Sequence, residues 1–306
     1  MSAVAANRCP RCGNDNRIDS YVCAFCGKRL RIEKIENFSI FKRIEAEWTN
    51  PVPWYKLILW LLIKPNEAFW NINHKRKSSP GFKILLFNSV LYGLMGLALF
   101  SHVIIQDLDF NPFISFLFNF AVFIAFFSFG FAFFAIFGFV LIWLFTKGAN
   151  IAVGFSERLE SRFGGKEEEP IKYREAEMSP FSIYKGGTLH QQQAFKYKMM
   201  YCAFVPFLII TPVEIIIILV GLPNIATPDL LIFNYSILLN PIFISPIWTA
   251  LHLTEALTIA IWVPILTSLA IRELSNSSTI RVLLSSIVIG VIVAILFYFL
   301  RPTIMV

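Results

Sequence analysis

Charge is scarce in this chain. Asp, Glu, Lys and Arg make up 15% of its 306 residues, against about 25% in an ordinary soluble domain. Apolar residues reach 56% before glycine is counted, 32 of them phenylalanine. A water-soluble domain has no interior large enough for that much apolar surface, so a soluble globular enzyme, a disordered tail and a collagen-like fibre are excluded. No secretory leader is expected either. Residues 1–30 hold no apolar core of roughly 7–15 residues and are dense in Arg, Asn and Asp, so the amino terminus is expected to stay cytoplasmic. No nucleophile–base pair, cofactor fingerprint or repeat stands out, and Gly186-Gly187 is too little for a phosphate-binding loop. A non-enzymatic protein is the expectation. Cysteine is sparse and uneven: four of the five lie between positions 9 and 26, and Cys202 sits alone in an apolar run, where it should be an inert small hydrophobe. A disulfide framework would spread its cysteines through the part it staples.

What is present is a series of long apolar runs. They lie near 83–105, 112–145, 199–221, 246–271 and 280–300, each long enough for the roughly 20 helical residues that cross a bilayer. The second is longer than one perpendicular span requires, which predicts strong tilt or first turns lying in the interface. Trp54 to Ile63 is too short to cross; its tryptophans and flanking lysines suit an interfacial helix. Residues 32–53 form a basic linker with a weak helical pattern in Ile32, Ile35, Phe38, Phe41 and Ile44, stopped by Pro51 and Pro53. The fold class expected is all-α and polytopic: a five-helix transmembrane bundle over 54–300, preceded by a small β zinc-ribbon module over 1–31.

Basic residues fall on alternate sides of these spans. Residues 1–83 hold 15 Lys/Arg against 7 Asp/Glu, segment 146–198 holds nine Lys/Arg, and the loops 106–111 and 222–245 hold none. That pattern places the amino terminus inside and the carboxyl terminus outside. The middle loop, with Gly164-Gly165, Glu167–Glu169 and Gly186-Gly187, reads as a solvated linker.

Cys9-x2-Cys12-x10-Cys23-x2-Cys26 gives two turns, each able to point two thiolates at one ion. Gly13 and Gly27 follow the second cysteine of each pair and Tyr21 precedes the second pair, as in a short zinc ribbon. Four cysteines close a tetrahedral shell around one structural Zn2+ and leave no position for a catalytic water. Arg8, Arg11, Arg17, Lys28, Arg29 and Arg31 make the module basic. On a membrane-tethered chain those charges are expected to meet anionic lipid or a protein partner rather than nucleic acid.

Residues 62–95 carry Lys-Pro-x-Glu-x-Phe, a polar gap, Ser-Pro and a first span; residues 185–206 carry Gly-Gly, a Gln-rich helix start, then Tyr and Pro inside a span. In this order, with five spans, the stretch 55–300 resembles the Yip-domain family of Ypt/Rab-interacting membrane proteins. The resemblance implies a membrane scaffold with a cytoplasmic partner, for eukaryotic members a prenylated small GTPase on early secretory membranes. The chain lacks the Asp-Leu-Tyr-Gly-Pro element of the eukaryotic members and adds the cysteine module, which points to a prokaryotic, archaeal source and the cell membrane.

Glu214, His252 and Glu255 are the residues hydrocarbon tolerates least. Their estimated depths agree, and His252 and Glu255 share a helix face, so Glu214 is expected to approach that face, with His102 near the same layer. Hydrogen bonding to Thr211, Thr249 or Thr254 would make the cluster structural; a proton or cation pathway is the alternative. Pro206, Pro212 and Pro264 are expected to kink their spans. The small residues Gly93, Gly96, Ala98, Gly130, Ala132, Ala135 and Gly138 fit close helix packing within the chain or in a homodimer.

Overall fold

The computed structural model describes residues 7–16, 20–23, 25–45, 51–75, 79–105, 112–163, 189–227, 242 and 244–299. Among them the chain is mostly helical, with five helical segments long and apolar enough to cross a membrane, which fits a multi-pass membrane protein. The helices are α1 (Trp54–Ile63), α2 (Pro65–Lys75), α3 (Gly81–Phe100), α4 (Pro112–Phe163), α5 (Leu189–Met200), α6 (Phe207–Gly221), α7 (Pro246–Leu257), α8 (Val263–Ser275) and α9 (Thr279–Phe299). The glycine and glutamate motifs of the middle loop and the end of the chain lie outside the described residues.

Three spans differ from their expected bounds for local reasons. The first ends at Phe100 rather than near 105 because Val103–Ile105 forms a strand, β3, parallel to β4 (Ile225–Thr227), with Val103 opposite Ile225. Three β-branched residues in a row favour that extended backbone. The second is one helix of 52 residues, about 78 Å at 1.5 Å per residue, so it continues well beyond 145 and out of a hydrocarbon layer of about 30 Å. The third is broken: a 3-10 turn over Tyr201–Phe204 and Pro206 separate α5 from α6.

The fourth span is interrupted where Pro264 requires it. A π-turn over Thr258–Trp262 precedes the proline, which has no N–H to give the helix. The carbonyls of Ile259 and Ala260 face α9 at Gly290, where an added Cβ would lie 2.4 Å from Pro264 Cγ and 2.8 Å from the Ile259 oxygen. The small residues of α3 and α4 work in the same way. A Cβ on Gly93 would strike the Phe123 ring, one on Gly96 the base of Phe126, and one on Gly130 Tyr92 Cβ. These faces are filled within the chain.

Helix α1 has the two-faced character expected of an interfacial helix. Leu57 and Leu61, one turn apart, are buried, while Tyr55, Leu59 and Ile63 face outward. Trp54 stacks on Phe87 of the first span and carries Lys83 Nζ 3.7 Å from its ring centre. The helix that follows takes in the Lys-Pro-x-Glu-x-Phe motif from its proline and runs to Lys75. Pro65 begins α2, and Phe69 and Ile72 anchor it in the main core. A smaller apolar cluster joins Ala98, Ile218, Leu222, Ile242 and Leu251.

Candidate functional site

Two Cys-x-x-Cys-Gly turns of matching geometry build the cysteine centre. In the first, Cys9 N–H donates to the Asn14 carbonyl and Gly13 N–H to the Cys9 carbonyl; in the second, Cys23 N–H donates to Lys28 and Gly27 N–H to Cys23. Each turn closes through a left-handed glycine, Gly13 at φ 72° and Gly27 at φ 70°, where a side chain would strain the backbone. The Phe25 N–H points at Cys23 Sγ at 3.4 Å.

The four sulfurs lie within 4.8 Å of one another, with Cys9–Cys26 at 3.5 Å and Cys12–Cys23 at 3.7 Å. Those separations are too long for a disulfide, whose sulfurs sit about 2.05 Å apart. They match a tetrahedron of metal–sulfur bonds of about 2.3 Å, whose edges are about 3.8 Å. Burial pushes the Cys23 thiol up, but the N–H groups of Cys26 and Phe25 outweigh it and bring it to about 6. Burial and the neighbouring sulfurs push Cys26 up to about 12. Four thiols this close ionise together only around a cation, so the group can hold a metal ion. The β-ribbon expected around it is reduced, among the described residues, to a pairing of two-residue strands, β1 (Asn7–Arg8) with β2 (Asp15–Asn16), and one bridge from Val22 to Arg29. The knuckle hydrogen bonds, rather than a ladder, hold the cysteines.

Part of the expected basic linker packs on the bundle. Residues 33–43, which include one 3-10 turn at Lys34–Asn37, lie on the turn between α8 and α9. Arg43 Nε donates to Glu36 Oε1 at 2.6 Å, and its Nη2 reaches the Ser277 carbonyl and Thr279 Oγ1. Arg29 approaches the other Glu36 oxygen at 3.9 Å. Arg272, fully buried, donates to the Phe41 carbonyl and to Glu273. Glu33 caps α9 from more than 240 residues away: its carboxylate accepts from Ser278 Oγ and from the N–H groups of Thr279 and Ile280 at 2.8 and 3.2 Å. Ser278 itself accepts from Arg281 N–H. Asn276, left-handed at φ 52°, donates to the Val22 carbonyl beside Cys23 at 3.0 Å. Asn66 of α2 holds the Ser39 and Lys42 carbonyls, and Asn73 holds that of Glu273. None of these partners was an expected site residue. The pattern Ser278-Thr279 before an apolar run is an N-cap signal, but its distant carboxylate leaves no trace in spacing.

The intramembrane residues are placed on two helices. Glu214 of α6 is buried, and its Oε1 has no hydrogen-bond partner among the described residues. His252 Nδ1 and Glu255 Oε2 are 3.6 Å apart on one face of α7. Glu214 and Glu255 are within electrostatic range of each other and of Tyr92 on α3. Trp248 meets His252 edge-on at 4.7 Å and Phe297 lies 6.2 Å from it. His102 is elsewhere, bonded to Asn224 at 3.1 Å beside the β3–β4 pair. Of the expected threonine partners, Thr254 donates to the Ala250 carbonyl of its own helix. Cys202 is buried, with Ser79 Oγ at 3.0 Å.

No family model, curated protein or solved structure matches this chain.

Proposed function

We propose that the protein is a non-enzymatic membrane adaptor whose metal-held amino-terminal module presents a docking surface to a cytoplasmic protein. The observation that carries this reading is the exposure of Phe25 (72%), Ile32 (68%) and Phe38 (68%) in a segment outside the five spans. Large apolar side chains left outward on a small polar module mark an interaction site. The charges of Glu33, Glu36 and Arg43 are spent on seating the module, so recognition falls to these apolar residues and to the exposed Arg8 and Arg11. The ion is one structural zinc: four soft thiolates in a closed tetrahedron suit Zn2+ and leave no open coordination position. The excess of Lys/Arg before the first span sets the module in the cytoplasm and the end of α9 outside. The Yip-like order of features makes a small GTPase one partner to test.

Crosslinking pull-down from native membranes tests the adaptor. The intact protein should retain a specific cytoplasmic protein, and the triple change Phe25→Ser, Ile32→Ser, Phe38→Ser should lose it while remaining folded in the membrane. Equal capture by both forms counts against the reading.

A second reading, a proton or small-cation pathway, is favoured by Glu214, whose Oε1 is buried and has no hydrogen-bond partner among the described residues, within electrostatic range of Glu255. An ionisable group at such depth costs about 2.5–3.5 kcal/mol on insertion scales and commonly marks a pathway. Under the adaptor reading, Glu214→Gln should leave thermal stability and partner capture nearly unchanged, and proteoliposomes of the unaltered protein should show no proton or cation flux. Flux that Glu214→Gln abolishes would replace the adaptor with a transporter.

A further inference from the structure

We infer that the cysteine centre is a metal-controlled latch on the last transmembrane hairpin: a thiophilic divalent ion bound by Cys9, Cys12, Cys23 and Cys26 sets whether α9 is clamped at its start. The inference rests on reading the four cysteines as a metal site.

The mechanical path is short. The hairpin of the second knuckle is closed by the Cys23–Lys28 hydrogen bond, the Val22–Arg29 bridge and the Leu30 N–H on the Tyr21 carbonyl, together with the sulfurs. So small a module draws most of its folding free energy from its metal. Three groups of that hairpin touch the seat directly. The Val22 carbonyl, one residue before Cys23, accepts from Asn276. Arg29 reaches both Glu36 and the Arg43 carbonyl. The Tyr21 ring lies 4.8 Å beneath the Arg43 guanidinium. Glu33 follows Arg31 by two residues, so there is little slack between the knuckle and the carboxylate that caps α9.

The receiving end is built to respond. Thr279 and Ile280 expose N–H groups that no residue of their own helix can satisfy, and the Glu33 carboxylate also meets the positive end of the helix dipole. Release of the knuckle removes the Val22 and Arg29 anchors and frees Glu33 to leave.

Hydrogen exchange on the full chain in lipid nanodiscs tests this, with metal content measured on the same samples. Four forms are compared: as purified, stripped with a zinc chelator, Cys23→Ser and Glu33→Gln. As purified, the protein should carry one ion per chain. Stripping or Cys23→Ser should speed exchange over 279–282 about tenfold, the size of a lost helix cap, leave 286–299 unchanged, and in the stripped form reverse when zinc returns. Glu33→Gln should keep its metal and still show the faster exchange. Metal that is present and removable without effect on 279–282 would overturn the latch and leave the metal site standing. Faster exchange across all five spans would also overturn it, because the ion would then hold the whole fold. Protein with no metal would remove the cysteine reading and the latch together.

Discussion

Glu36→Ala should be among the most damaging single changes in the protein, lowering stability by about 3–5 kcal/mol. Glu36 is 2% exposed and Arg43 3%, so the pair is shielded from the solvent screening that makes surface ion pairs nearly neutral. Alanine would leave the Arg43 guanidinium buried against Ser277 and Thr279 with no counter-charge, and Arg29 would lose its partner as well. Desolvation of an unpaired charge, rather than the lost attraction itself, dominates the cost. Arg43→Ala should do comparable harm by stranding Glu36. The double change Glu36→Leu with Arg43→Met removes both charges and should recover much of the loss. A thermal unfolding series in detergent measures all of these. If Glu36→Ala unfolds at the same temperature as the unaltered protein, residues 33–43 are not seated as described.

The pattern of what could be foreseen follows from how far apart the interacting residues lie. The spans and the interfacial helix are written in runs of apolar residues, a local signal; Trp54–Ile63 is reproduced as a helix, while the second span runs on to Phe163 because a helix need not stop where its hydropathy falls. Val103-Ile104-Ile105 is apolar enough to extend a span and β-branched enough to leave it; hydropathy alone does not separate the two. The four cysteines are likewise local pairs with metal spacing. The clamp is different in kind. Glu33 and Thr279, Asn66 and Lys42, Arg272 and Phe41 meet only after the bundle forms, and charged residues before a first span look the same whether they face lipid, solvent or a buried turn. The membrane acids are found by their cost in hydrocarbon, and Glu214 and Glu255 are matched by depth. His102 could not be placed that way, because its partner Asn224 belongs to a loop.

Gly81→Ala should displace the first span from the third, although the change adds a single methyl group. An ideal Cβ at this position would stand 2.0 Å from the Lys198 carbonyl oxygen and 3.0 Å from the Lys198 carbonyl carbon. That obstacle is backbone, fixed in place by Ser79 Oγ, which donates to the same oxygen at 2.7 Å and accepts from Gly81 N–H at 3.2 Å. No rotamer change relieves the clash, so α3 or the turn at 198–201 must move, at the roughly 1–3 kcal/mol typical of overpacking or more. Gly148→Ala supplies the contrast. Its Cβ would come nominally as close, 2.2 Å, but to Ile289 Cδ1, the end of a side chain that can rotate away. The first substitution should therefore lower the unfolding midpoint clearly and weaken the Ser79–Cys202 contact, which thiol labelling at Cys202 would register as faster reaction. The second should leave both nearly unchanged. If the two behave alike, contact distance alone governs tolerance at these glycines, and the tight seat of the Ser-Pro-Gly start of the first span against Lys198 is not a rigid one.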